Sequence, residues 1–135
     1  MLKVVIDTNV FISSQISALG NPGKIINLIA NEKIELYYST DILKEYQRVL
    51  SYAKFNFSIK KQTLAALDIK AIGELVKVVV TNSIFLPDES DRIFYDTAKT
   101  ANTYLITGNK KHFPDEDFIM TPTEFLQTFF NVKKI

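Results

Sequence analysis

Apolar residues arrive along this chain in short bursts that switch between two rhythms. The burst from Leu2 to Ile6 is broken by the polar cluster Asp7-Thr8-Asn9 and predicts a buried strand that stops at Asp7. After the turn signal Gly20-Asn21-Pro22-Gly23, residues Ile25, Ile26, Leu28 and Ile29 recur at helical spacing and predict a helix reaching Asn31. Ile34 to Tyr38 reads as a second strand. Ser39, Thr40 and Asp41 then offer cap oxygens to a helix carrying Ile42, Leu43, Tyr46, Val49 and Leu50. Residues 58–75 hold Ile59, Leu64, Leu67, Ile72 and Leu75 among helix formers and predict one or two helices, with Gly73 weakening the end. Val76-Lys77-Val78-Val79-Val80 predicts a third strand, and residues 82–90 a loop closed by Pro87-Asp88-Glu89-Ser90. Phe94, Ala98 and Ala101 form a helical stripe over residues 91–101. A fourth strand is expected at 103–107, a polar loop at 108–112 and a short fifth strand at 118–120, before Thr121-Pro122-Thr123-Glu124 opens the last helix. Strand and helix alternate throughout. The expected fold is α/β: one domain over residues 1–135, with a parallel sheet of about five strands in a three-layer α/β/α sandwich.

Composition narrows the class. With 135 residues, 47% of them hydrophobic, the chain can bury one sizeable core. It has no cysteine, which removes disulfides, thiolate metal sites and a cysteine nucleophile and suits a reducing cytoplasm. No apolar run is long enough for a signal-peptide core or a membrane span, so the expectation is a soluble cytoplasmic protein without a membrane partner. Sixteen Lys+Arg against 15 Asp+Glu leave a net charge of +1, which creates no global field for nucleic acid. A polyanion must be held by local basic patches or by metal.

In an open α/β sheet, ligands collect beyond the carboxyl ends of the strands. Asp7, Thr8 and Asn9 follow strand one; Ser39 and Thr40 follow strand two, with Glu45 on the helix they cap; Thr107 and Asn109 follow strand four. Asp91 shares the helical face of Phe94, Ala98 and Ala101, so it tops the core-facing stripe and points at the crevice holding Asp7 and Glu45. Gathered carboxylates repel one another, and burial raises their pKa unless a cation neutralises them. Oxygen ligands, no Cys and a lone His favour Mg²⁺ or Mn²⁺ over Zn²⁺, and such a site suits phosphodiester hydrolysis.

The strand ending in Asp7-Thr8-Asn9-Val10, the Ser39-to-Glu45 segment, the Asp91-to-Ala98 helix and Leu105-Ile106-Thr107-Gly108-Asn109 together resemble PIN-domain ribonucleases, especially the VapC-like toxin branch. The resemblance spans nearly the whole chain. It implies a Rossmann-like fold and a metal-dependent endoribonuclease site with Asp7, Glu45 and Asp91 on the three core acidic positions. RNA is then the substrate, an antitoxin protein the expected partner, and a homodimer the expected assembly. The fourth acidic position holds Asn109, eighteen residues after Asp91. Asparagine can hold a water or make a weak metal contact but brings no charge, which argues against a second tightly held ion.

Each residue also has a plainer reading. Asp7 can cap a turn, Glu45 can pair with Arg48 on an exposed helix face, and Asp91 can cap its helix. Thr8 and Asn9 are expected to orient Asp7. Asp96 lies five residues past Asp91, roughly 140° around the helix and in reach of Arg92 and Lys99. It is expected in solvent, and stands in for the missing acid only if the helix starts irregularly. Asp88 and Glu89 read as loop solvation, and Lys60-Lys61 and Lys133-Lys134 as solvated faces. His112, beside Lys110 and Lys111, reads as a surface residue near RNA phosphate rather than a general base. Phe55, Phe57, Phe113, Phe118, Phe125, Phe129 and Phe130 read as core or oligomer interface, with the last three predicting an apolar patch for a two-fold contact.

Three other functions start from similar residues. A haloacid-dehalogenase-like phosphatase wants a second Asp two residues after the first, but position nine is Asn. A phospho-accepting receiver orders its acids differently. A degenerate PIN fold serving as an RNA-binding scaffold is kept alive by Asn109, against the intact Asp7, Glu45 and Asp91. No Gly-rich turn follows strand one, which excludes a dinucleotide-binding oxidoreductase.

Overall fold

A computed structural model of the chain describes residues 1–79 and 84–130. Val80 of the expected third strand, Asn82 of the expected loop and Lys133-Lys134 lie outside the described residues. Five short strands, β1 (Lys3–Ile6), β2 (Glu35–Tyr38), β3 (Glu74–Leu75), β4 (Tyr104–Ile106) and β5 (Ile119–Met120), make one sheet in the order β3-β2-β1-β4-β5. All pairings are parallel, as the alternation of elements requires, with Val4 opposite Leu36 on one side and opposite Tyr104 on the other. β1 is therefore central and nearly waterless; Val4, Val5 and Ile6 are at most 1% exposed. The chain moves outward from β1 to β2 and β3, then returns to β4 beside β1. The carboxyl ends of β1 and β4 thus flank the point where successive connections diverge, the usual place for a ligand crevice.

Six helices pack on this sheet: α1 (Thr8–Ile16), α2 (Asn21–Ala30), α3 (Thr40–Leu50), α4 (Ile59–Ile72), α5 (Arg92–Ala101) and α6 (Pro122–Phe130). Their starts are chemically marked. Ser39 Oγ accepts from the Ile42 amide at 3.2 Å and Ser58 Oγ from the Lys61 amide at 3.0 Å. At α6 the Thr121 hydroxyl accepts from the Glu124 amide while a Glu124 oxygen accepts from the Thr121 amide, a reciprocal cap. Each cap contributes about 1 kcal/mol.

Four local expectations are corrected. Helix α1 begins directly after β1, where the sequence pattern marks only a strand stop; its residues Val10, Phe11 and Ile12 are all buried, so no polar face betrays it. β3 lies two residues earlier than the valine run. A Cβ on Gly73 would stand 2.7 Å from the Tyr38 ring, so glycine lets the chain leave α4 hard against β2 and pair at once, Tyr38 opposite Leu75. On α4 the residues facing the core are Ala65, Ala66 and Ile69, small enough for close packing on α3, whereas Leu64 and Leu67 are about half exposed (48% and 52%). At the carboxyl end, Phe125 is fully buried and leaves the expected apolar patch, while Phe129 and Phe130 pack against it and stay partly buried. Burying such a ring is worth about 1.5–3 kcal/mol.

Candidate metal centre

Asp7 leaves β1 with its amide donating to Ile106 O at 3.0 Å, which seats it beside the end of β4. Its Oδ1 accepts from the Val10 amide at 3.0 Å, capping α1, and its Oδ2 accepts from the Thr107 hydroxyl. Thr107 Oγ1 in turn accepts from the Asn109 amide at 3.1 Å. The capping role read for Asp7 is therefore real, yet it occupies one face of a carboxylate held between two elements. Burial pushes the Asp7 carboxyl above its ordinary range; the bonds from Thr107 and Val10 and the charge of His112 pull the other way.

One residue beyond Glu45, Tyr46 is buried, stacks on Phe11 with ring centres 4.3 Å apart and donates its hydroxyl to Ile6 O. That bond ties α3 to the end of β1. Burial, and then the charge of Asp7, push the phenol well above its ordinary range. Glu45 itself is a quarter exposed and meets Arg48, with Oε1 2.5 Å from Nη2. Exposed pairs of this kind are worth at most about 1 kcal/mol.

Asp91 ends a 3-10 turn, Glu89–Asp91, and precedes α5, but its side chain caps nothing. Its Oδ2 is buried and faces His112 Nδ1 at 3.2 Å, the contact of an ion pair when the imidazole is protonated. Burial is the largest cause raising the Asp91 carboxyl; Asp88 and Asp7 raise it further and His112 opposes them. The two acids thus feel one another. A crevice of about 240 Å³ is lined by Thr8, Asn9, Glu45, Asp88, Asp91 and His112, with Tyr52, Lys54 and Phe55 at its wall. Thr8 is 9% exposed, and its buried Oγ1 has no hydrogen-bond partner.

The other expected residues separate. Ser39 caps α3 and does not line the crevice. Asp96 is buried, 5% exposed, not in solvent. Its charge acts on Arg92, whose Nη2 also donates to Ile84 O at 2.6 Å, and its burial departs from the solvent-facing position that helix periodicity assigns. Asp96 is absent from the crevice lining. Lys110 pairs with Glu124 at 3.2 Å and Lys111 is exposed; neither lines the crevice. Asn109 turns its amide to His112 Nε2 at 3.0 Å. Sequence reasoning misses Lys54, reads Asp88 chiefly as loop solvation and names His112 for phosphate contact, while the structure puts all three on the crevice lining. For His112, its spacing of three from Asn109 within a tight turn was the available signal.

Among the described residues no three His, Asp or Glu groups converge as a ready-made cage. The donor set nevertheless fits a hard divalent ion. Burial raises the carboxyls of Asp7 and Asp91, the charge of Asp7 raises Asp91 further, and the buried Oγ1 of Thr8 lacks a partner. Mg²⁺ in particular binds through one or two carboxylates and keeps several waters.

Among the described residues no helix is long and apolar enough to cross a membrane. The chain is 34% identical over 142 residues to Uncharacterized protein MJ1680 of Methanocaldococcus jannaschii, covering 95% of this chain and 92% of that protein. Its fold is similar to a chain in the crystal structure of VapBC2 from Rickettsia felis bound to a DNA fragment from their promoter, with a TM-score of 0.60 at 17% identity, covering 89% of this chain and 97% of that one. The sequence pattern of the PIN domain matches residues 3–111. With that match across most of its length, the chain belongs to the PIN domain family.

Proposed function

We propose that this protein is a divalent-metal-dependent endoribonuclease and the toxin of a toxin–antitoxin pair. PIN domain proteins are nucleases, which supports phosphodiester hydrolysis as the reaction class. The observation that carries the reading is the crevice lined by Thr8, Glu45, Asp88 and Asp91, with Asp7 directly before Thr8 at the end of β1 and its charge felt by Asp91. Mg²⁺ or Mn²⁺ bound by Asp7 and Asp91 would polarise the phosphodiester, activate water and neutralise the leaving oxygen. Thr107 and the Val10 amide hold Asp7 in its ligating orientation. Glu45, at the wall, orients the attacking water and takes its proton on a carboxylate oxygen. Lys54 meets a neighbouring phosphate of the RNA.

Single-turnover cleavage of a short RNA, with and without EDTA, tests the reading. Cleavage that EDTA abolishes and Mn²⁺ restores is expected, together with its loss in Asp7→Asn, Glu45→Gln and Asp91→Asn. A second reading, an RNA-binding module without turnover, is favoured by the uncharged Asn109; RNA bound but never cut would establish it instead. The phosphatase alternative has no acid to donate, since position nine is an exposed Asn. An antitoxin partner draws support from the likeness of fold to VapBC2. A homodimer in the cytoplasm completes the proposal, now through the exposed Leu64 and Leu67 of α4 rather than the carboxyl-terminal phenylalanines. Light scattering at micromolar concentration would show a monomer if that is wrong.

A further inference from the structure

We propose that His112 is a ligand of the divalent cation, filling the place that the missing fourth carboxylate leaves, with Asn109 holding the ring from behind. The proposal rests on the metal-dependent reading and concerns the ligand set alone.

Three relationships carry it. First, His112 Nδ1 stands 3.2 Å from Asp91 Oδ2, which brings the imidazole and the carboxylate into direct contact at the crevice. The separation is also that of neighbouring ligands: atoms about 2.1 Å from an octahedral ion and at right angles are about 3 Å apart, so an ion can take the place of the proton these two groups share. Second, His112 Nε2 lies 3.0 Å from the side-chain amide of Asn109. The oxygen and nitrogen of an asparagine amide exchange by a half-turn. In the turned form Nε2–H donates to Asn109 Oδ1 and leaves the Nδ1 lone pair facing the crevice. Metal-bound imidazoles are held in this way by a second group. Third, Thr8 lines the same crevice, is more than nine-tenths buried and has an Oγ1 without a partner, a group able to hold a water retained by the ion.

An asparagine at the acidic position then has a purpose: it acts one step back, through the imidazole. The exchange also changes the metal preference. A carboxylate suits Mg²⁺ and Mn²⁺ alike, whereas an imidazole nitrogen favours the transition-metal ion.

Calorimetric titration of the RNA-free protein with Mn²⁺ and Mg²⁺, joined to pulsed electron paramagnetic resonance of the bound Mn²⁺, tests this. The wild type should show directly coupled nitrogen, and both His112→Ala and His112→Gln should lose it. Mn²⁺ affinity should fall by tenfold or more in both, with Mg²⁺ affinity changed less, and Asn109→Ala should weaken Mn²⁺ by about 10–100-fold. The His112 side chain is 42% exposed, so both variants should keep the wild-type circular dichroism. Mn²⁺ bound with no coupled nitrogen, and with equal affinity in His112→Ala, overturns the ligand assignment while leaving the metal reading intact. In that case binding is lost in Asp7→Asn and in Asp91→Asn but not in the His112 variants. A wild type that binds no Mn²⁺ overturns both.

Discussion

The hydroxyl of Thr107, at the end of β4, donates to Oδ2 of Asp7, at the end of β1. One bond therefore joins the two strands at the point where the ligand crevice opens, between residues 100 positions apart. Thr107→Val keeps the shape and removes the donor. Leaving a buried carboxylate oxygen unpaired costs about 1–3 kcal/mol. The expected result is that loss in urea denaturation together with a further rise of the Asp7 pKa, because a contact that lowers it is gone. Unchanged stability would refute the role given to this bond.

Asp91 should set a pH dependence of stability. Its folded-state pKa is raised above the ordinary 3.8, so the folded protein holds the proton more tightly than the unfolded chain. Stability present below about 3.8 is lost as pH rises through the folded value. Without metal, Asp91→Asn should melt higher than wild type at pH 7, and the difference should vanish below that range. Added Mn²⁺ should reverse the order, since ligand at a hundredfold excess over Kd stabilises the native state by about 2.7 kcal/mol. Calorimetric melting with and without Mn²⁺ checks both signs.

Asp96 separates structure from chemistry. Its burial and the Arg92 charge beside it make Asp96→Asn destabilising, by roughly 1–3 kcal/mol. Because it does not line the crevice, single-turnover RNA cleavage at a temperature where the variant is folded should stay within about tenfold of wild type, that is within about 1.4 kcal/mol of the barrier. Glu45→Gln should lose much more. A dead, folded Asp96→Asn would make it part of the site.

Lys54 and Lys110 offer a contrast in charge. Lys54 lines the crevice, while Lys110 is already paired with Glu124. Lys54→Ala should weaken single-stranded RNA binding and reduce the slope of log affinity against log salt by about 0.7, the share of one phosphate contact. Lys110→Ala should leave the slope alone. Fluorescence anisotropy across a salt series reads both.

The parts of the fold legible in the sequence are those whose signal is local. Ser39 and Thr121 mark helix starts because cap and helix are within three residues of each other. Asp91, Phe94 and Ala98 keep helical phase because α5 lies directly on β1, β2 and β4. What escaped depends on distant chain. Asp96 is buried against the expectation of helix phase, and Gly73 moves β3 because of a ring on β2. Asp7 and Asp91 could be named from strand ends and helix phase; the approach of His112 to Asp91 could not, since a turn at residues 109–112 sets it.

Tyr46 decides how the crevice can respond to what enters it. Its ring is clasped inside the protein against Phe11 and its hydroxyl is spent on the Ile6 carbonyl, so α3 cannot roll about its axis without breaking the interior apart. Glu45, the very next residue outward, inherits that immobility at its Cα, and only its own side-chain torsions remain free. On the proposed nuclease reading, adaptation on the α3 side of the crevice would fall on the ligand, which would favour an unpaired, pliable strand over a stiff duplex.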